Sequence, residues 1–272
     1  MVEKSQKQTK KSLSPHATVS TLSMGPKPTT ILIPLYVYPS LGAWDVLYER
    51  ITTYPDRQFI LVINPHNGPG ATNRPDENYT RELCKLNVYP NVRIIGYVAI
   101  GYAKRSLGLV LHDIATYAGW ADSLAALRIQ GIFLDETPDL YDPDIAEYLE
   151  TITSTVADTH GLGTMVVHNP GTIPDARYLL LADMTVVFEN TYEVLTDGDC
   201  LPRLKALAAA YTPDRLACIV HSVPDAIASG AGVHALMDEL KEVASAVFVT
   251  ELCQDYYAHF SPGLLEVLTA TT

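Results

Sequence analysis

No uninterrupted apolar run in this sequence reaches the roughly 18 residues that a membrane-spanning helix needs. The first 30 residues also lack the apolar segment of roughly 7–15 residues that defines a secretory signal, since Leu13, Val19, Leu22 and Met24 are scattered among polar residues. The expectation is a chain that starts in the cytoplasm or has lost its leader. Cysteine is sparse: Cys84, Cys200, Cys218 and Cys253 form no C-x-x-C pair, and a chain of 272 residues does not need them as staples. Cys218, inside the apolar run Leu216–Val220, is expected to be a buried thiol acting as a small hydrophobe, and no zinc site is expected. Positive charge is short as well. With 19 basic against 31 acidic side chains the net charge is −12, which argues against broad binding to nucleic acid or an anionic membrane.

What charge there is lies unevenly. Residues 1–30 hold Lys4, Lys7, Lys10, Lys11 and Lys27 against Glu3, a local balance of +4, which leaves −16 on the remainder. This opening stretch is rich in Ser, Thr, Pro, Gln and Lys and has no hydrophobic period, so it cannot offset the entropy of ordering and is expected to be a disordered basic tail. At 47% hydrophobic, the chain can bury a sizeable core. From residue 31 short β-branched runs alternate with stretches of helical spacing, the pattern of βα units around a parallel sheet. The strands are expected at Ile31–Tyr38, Phe59–Asn64, Val92–Ile100, Gly131–Glu136, Thr164–His168, Thr185–Glu189, Leu216–His221 and Ala246–Glu251. The intervening helices are expected at Ala43–Thr53, Asn78–Leu86, Leu107–Arg128 with a break near Gly119, Pro143–Asp158, Asp175–Leu181, Leu201–Tyr211, Asp225–Val243 and Tyr256–Thr269. Eight units in residues 31–272 close most economically into a single-domain (β/α)8 TIM-type barrel. An open doubly wound sheet is the alternative, but no G-x-G-x-x-G turn follows the first strand. Ser229-Gly-Ala-Gly232 has no Lys or Arg beside it and reads as a broken or kinked helix rather than a phosphate site.

In such a barrel the chemistry sits at the carboxyl ends of the strands. Here those ends supply Tyr36 and Tyr38; Asn64, His66 and Asn67; Tyr97 and Tyr102; Asp135 and Glu136; His168 and Asn169; Glu189; His221; and Glu251. Gly131-Ile-Phe-Leu-Asp-Glu136 is an apolar strand ending in two adjacent acids. Consecutive residues point to opposite faces, so one carboxylate is expected in the lumen and its neighbour over the rim, unless one of them simply caps the turn at Thr137-Pro138. Thr185-Val-Val-Phe-Glu189 ends another apolar strand in an acid, and a buried carboxylate without a partner is costly. Together the three acids supply the minimum equipment for glycoside hydrolysis: one carboxyl to protonate the leaving oxygen and another to attack or stabilise the anomeric carbon. Sixteen tyrosines against five phenylalanines and two tryptophans suit a sugar ring, offering an apolar face with a hydroxyl. A metal held by His66, His168 and His221 with Asp135 is the competing reading. No H-x-H or H-E-x-x-H spacing supports it, so these histidines are expected to bind substrate hydroxyls. No G-x-S-x-G elbow is present either.

Several of these motifs, in this order, resemble the spherulin-4-like proteins, grouped as glycoside hydrolase family 135. The resemblance runs from about Ile31 to the C-terminus. It rests on Ile31-Leu-Ile-Pro-Leu-Tyr36 with Tyr38-Pro39, Asn64-Pro-His-Asn-Gly-Pro-Gly70, Gly96-Tyr-Val98 with Tyr102 and Arg105, Gly131–Glu136, Asn169-Pro-Gly171 and Phe188-Glu189. It implies a barrel whose fungal members cleave α-1,4-linked N-acetylgalactosamine in galactosaminogalactan, with an adjacent Asp-Glu pair and a later Glu as active-site acids; these carry over onto Asp135, Glu136 and Glu189. The expected protein is a monomeric, cofactor-free and metal-free endo-glycosidase acting on an amino-sugar polysaccharide. In a family that is typically secreted or cell-surface, a retaining, an inverting and a substrate-assisted route all remain open, as does the choice of acid between Asp135 and Glu136. The alternative is a non-catalytic glycan-binding or spore-wall structural protein that kept the cleft. Asn64, His66 and Asn67 are expected to form one wall of that cleft and to set sugar preference.

Overall fold

A computed structural model describes residues 29–261 and residue 265. The eight strands are β1 (Thr30–Leu35), β2 (Phe59–Ile63), β3 (Val92–Ala99), β4 (Gly131–Asp135), β5 (Met165–Asn169), β6 (Met184–Thr191), β7 (Leu216–His221) and β8 (Ala246–Val249). All pair in parallel in sequence order, and Thr30 and Ile31 of β1 pair with Ala246 and Val247 of β8 to close the barrel. The expected basic tail lies outside the described residues.

The helices are α1 (Asp45–Thr53), α2 (Glu77–Leu86), α3 (Leu107–Ser123), α4 (Pro143–Asp158), α5 (Tyr192–Thr196), α6 (Cys200–Tyr211) and α7 (Ala231–Lys241). Their starts follow local chemistry. Asp76 caps α2 by accepting from the Tyr79 N–H at 2.8 Å; Asp142 caps α4 by accepting from Asp144 and Ile145 N–H, with Pro143 preset in the first turn. Several expected boundaries move. α3 runs through Gly119 and stops at Leu124, whose backbone is extended. Asp175–Leu181 yields only a 3-10 turn at Tyr178–Leu180, because the Arg177 guanidinium folds back onto Asp175 and the Tyr178 hydroxyl takes the Asp142 N–H. α5 was not expected at all. α7 begins only after Gly230, which sits at φ 57°, so the glycine-rich run does interrupt the helix. Of the expected helix Tyr256–Thr269, residues 256–259 form turns and a bend, and most of the rest lies outside the described residues.

Alternation sorts the strand side chains everywhere but at one point of β6. Leu32, Val62, Ile95, Phe133, Val167 and Ile219 fill the lumen, whereas Ile33, Ile94, Leu134, Val166 and Cys218 pack outward against the helices. Gly96 faces outward where a Cβ would come within 2.6 Å of the Tyr117 ring. That close approach lets the Tyr117 hydroxyl donate to the Tyr97 and Ile63 carbonyls at 3.1 and 3.3 Å, which ties the ends of β2 and β3 together directly behind the barrel mouth.

Candidate active site

Three side chains on successive strands, β4, β5 and β6, meet at the mouth. Asp135 shares the lumen face of Phe133 on β4, and Asn169 shares that of Val167 on β5. The Asn169 Nδ2 donates to Asp135 Oδ1 at 2.8 Å and to Glu189 Oε2 at 2.5 Å. Its own Oδ1 accepts the Gly171 N–H at 3.0 Å, which fixes the amide with its NH2 toward the acids. The two carboxylates are therefore held within two hydrogen-bond lengths of each other through one nitrogen.

Glu189 reaches this position through a defect in its strand. Val186 pairs with Ala217, but Phe188 pairs with Cys218, so Val187 is an extra residue in β6. Simple alternation from Val186 would turn Glu189 outward. The bulge inserts one residue, Val187 and Phe188 both pack outward, and Glu189 comes into register with the lumen residue Ile219.

Tyrosine hydroxyls complete the hydrogen bonding. Tyr97 donates to Asp135 Oδ2 at 2.7 Å, and Tyr257 donates to Glu189 Oε1. Tyr36 packs edge-on against both, with ring centroids 5.6 Å from Tyr97 and 5.3 Å from Tyr257. Burial, reinforced by the charge of Glu189 and, for Tyr36 and Tyr97, of Asp135, pushes all three phenols well up from their ordinary range, so they remain protonated donors. Glu189 is also shifted upward. Burial raises it, the Tyr257 and Asn169 hydrogen bonds pull it back, and the charge of Asp135 adds to the rise. The site thus biases Glu189 toward its protonated form, beside an Asp135 whose two oxygens each accept from a neutral donor.

Glu136, the next residue after Asp135, is exposed at the rim in a left-handed backbone conformation, φ 56°, which costs a non-glycine residue about 1–3 kcal/mol. Its carbonyl accepts the N–H of Tyr102, itself at φ 55° and exposed. The two are neighbours on the rim. His221 faces the lumen on β7 and stacks on Tyr256, centroids 4.2 Å apart and planes 5° from parallel; burial lowers its pKa. Glu251, beyond β8, accepts from the Ser261 hydroxyl. Asn64 spends its Oδ1 on the Gly68 N–H at 2.8 Å, which pins the loop after β2 and leaves His66 and Asn67 exposed beyond it. Tyr38 is turned away from the acids: its hydroxyl donates to Asp76 and accepts from Asn78 at the start of α2.

His168 does not lie at the mouth, where the sequence places it as a substrate-binding residue. It pairs with outward-facing Leu134 and shares the outer face of Val166, so it is sealed under the helix layer at 2% exposure and not presented at the mouth. Consecutive strand residues cannot both face the lumen, and Asn169 takes that position. Burial pushes His168 down to about 4. Tyr256 and Tyr257 were not anticipated, because their segment has helical spacing and lies 68 residues from Glu189; the adjacent aromatic pair was the only signal. Among the described residues, no three of His, Cys, Asp and Glu are grouped as a metal site would need, and no helix is long and apolar enough to cross a membrane.

Residues 30–271 match the model of the spherulation-specific family 4. The chain is 35% identical to Spherulin-4 of Physarum polycephalum over 164 residues, which are 60% of this chain and 46% of that protein, so the match spans less than half of Spherulin-4. The crystal structure of Aspergillus clavatus Sph3 in complex with GalNAc superposes with a TM-score of 0.85 at 44% identity, covering 90% of this chain and 99% of that one. A glycosyl hydrolase family 2 member from Bacteroides cellulosilyticus, at 13% identity and a TM-score of 0.50 over 91% of this chain and 32% of that one, shares the fold alone.

Proposed function

The chain belongs to the spherulation-specific family 4, and from the acids at its barrel mouth we propose that it is an endo-acting glycoside hydrolase cleaving α-1,4-linked N-acetylgalactosamine or galactosamine polysaccharide. The observation that carries this reading is the single Asn169 amide joining Asp135 to Glu189. Two acids this close, one of them biased toward its protonated form, are what glycoside cleavage requires. The sugar class follows from the GalNAc held by Sph3, the relative with 44% identity.

In the reaction, Glu189 donates its proton to the leaving glycosidic oxygen. Asp135, oriented by Tyr97 and Asn169, faces the anomeric carbon. The facing oxygens of the two acids can be no farther apart than these two bonds laid end to end, which favours the close pair of a retaining enzyme, about 5–5.5 Å, over the roughly 6.5–9.5 Å that leaves room for a water between the acids. Asp135 is accordingly the nucleophile of a retaining route, and Glu189 returns as base to activate water. Glu136, Tyr102 and His221 contact the sugar hydroxyl or acetamido groups from the rim. An acidic body suits a partly deacetylated, cationic polymer, whose attraction salt would weaken.

Digestion of purified galactosamine polymers, with the products sized and their first-formed anomer read by NMR, tests the reading. Short oligomers with retained configuration are expected. Polymer binding without new reducing ends would replace hydrolysis with a glycan-binding role, and an inverted anomer would remove Asp135 as nucleophile.

A further inference from the structure

The segment after β8 crosses back over the mouth and is fastened there at several points. Ser222 N–H donates to the Leu252 carbonyl at 3.0 Å, Val223 N–H to the Thr250 carbonyl at 3.2 Å, and the Ser261 hydroxyl binds Glu251. Asp255, at φ 47°, turns the chain so that Tyr256 lies flat on His221 and Tyr257 points down to Glu189. The Tyr257 ring is wedged between Tyr36 and Phe248, with centroids at 5.3 and 6.1 Å. Its hydroxyl is thereby fixed at Glu189 Oε1 while Asn169 holds Oε2, so both carboxyl oxygens are restrained and the carboxyl plane cannot rotate.

We infer that Tyr257 is a positioning residue for Glu189, delivered by the 250–261 segment, which sets the orientation of that carboxyl and the acidity at which it gives up its proton. The role in turnover rests on the hydrolase reading above; the effect on Glu189 itself does not. The groups that face Glu189 are Asp135 from β4, Asn169 from β5, Tyr36 from β1, Tyr97 from β3 and Tyr256 beside Tyr257. Among these, Asn169 and Tyr257 donate to its oxygens. A phenol donating to a carboxylate favours the charged form, so its loss must move Glu189 further toward the protonated form.

Titration of the Glu189 carboxyl by 13C NMR in the full chain, wild type against Tyr257→Phe, reads this directly. The midpoint is expected to rise by about one pH unit, whereas Tyr36→Phe, which removes a hydroxyl not bonded to Glu189, should leave it in place. An unmoved midpoint in Tyr257→Phe overturns the inference, as does an equal shift in both variants. If Tyr257→Phe melts below the working temperature, 3-fluorotyrosine incorporated at position 257 serves instead: the more acidic phenol should lower the midpoint, and no change is again fatal. In the hydrolysis assay the pH–rate limb set by Glu189 should move upward, with kcat falling about tenfold or more and KM changing little. A shifted NMR midpoint in a protein that cleaves no polymer would sink the hydrolase reading and leave the Tyr257–Glu189 coupling standing.

Discussion

Glu82 and Glu189 are glutamates that each accept a tyrosine hydroxyl, yet their acidities are shifted in opposite directions. Glu82, on α2 and 3% exposed, accepts from Tyr48 at 2.7 Å, from the Arg81 guanidinium at 2.5 Å and from the Lys85 ammonium at 3.0 Å. Burial pushes its pKa up, but these three donors more than reverse the effect and hold it below the usual range. Glu189 has neutral donors only and a second carboxylate as neighbour, and it is held above that range. A buried acid is structural when cations surround it and available for proton transfer when they are excluded. Among the described residues no cation is bonded to Asp135 or Glu189, and the nearby arginine of the loop after β3, Arg105, is spent on Asp113 at 2.7 Å and on the Ala99 carbonyl.

The strongest test of this contrast is activity. Glu189→Gln keeps the shape of the side chain and removes its proton, and should lower turnover on galactosamine oligomers by about 10³-fold or more, as should Asp135→Asn. Glu82→Gln should leave turnover within about twofold. Similar losses in Glu82→Gln and Glu189→Gln would erase the functional distinction between the two sites.

A smaller effect concerns His168, a buried titratable group whose Nε2 has no hydrogen-bond partner among the described residues. Its folded pKa of about 4 lies below the ordinary unfolded value. The unfolded chain therefore takes up the proton first, and stability that is complete above about pH 6.5 is lost as the pH falls toward 4, by up to about 3 kcal/mol. Melting curves from pH 7 to 4 should show this slope in the wild type and a flatter one in His168→Leu. Parallel slopes would mean that water or a partner reaches the ring.

Stability gives the finest test, because the same substitution should act with opposite signs. The depressed pKa of Glu82 contributes stability that is present above the unfolded pKa and lost as the pH falls through the folded one. Glu82→Gln should cost about 1–2 kcal/mol at pH 7 and less in acid. For Glu189 the raised pKa contributes stability present only below the unfolded value and lost as the pH rises through the folded one. Glu189→Gln should therefore stabilise the neutral-pH protein, by about 1 kcal/mol. Chemical denaturation at pH 7 decides it, and destabilisation by both would show that Glu189 is held in place for folding rather than for chemistry.

The eight-stranded barrel was legible because β-branched runs separated by helical spacing are a local pattern, and local patterns follow from steric preference and hydrophobic period. The end of β4 was legible in part: alternation put one of its two acids in the lumen and the other at the rim, and the structure gives the lumen to Asp135, in step with Phe133, and the rim to Glu136. The same rule, applied to Val167 through Asn169, would have set His168 outside. Where regularity fails, pattern fails with it. The orientation of Glu189 depends on which β7 residue Phe188 pairs with, a choice made between strands and invisible within either.

The sequence by itself thus determined the order of the eight strands, the apolar layers and which acids are candidates, since each depends on residue type and period along the chain. Only the tertiary structure decided which of those groups share a proton environment. The bulge at Val187, the Asn169 bridge and the descent of Tyr257 onto Glu189 each join residues from separate elements. The acidity of Glu189 arises from this assembly, because desolvation and hydrogen-bond donors are supplied by neighbours in space, and distance along the chain does not encode them.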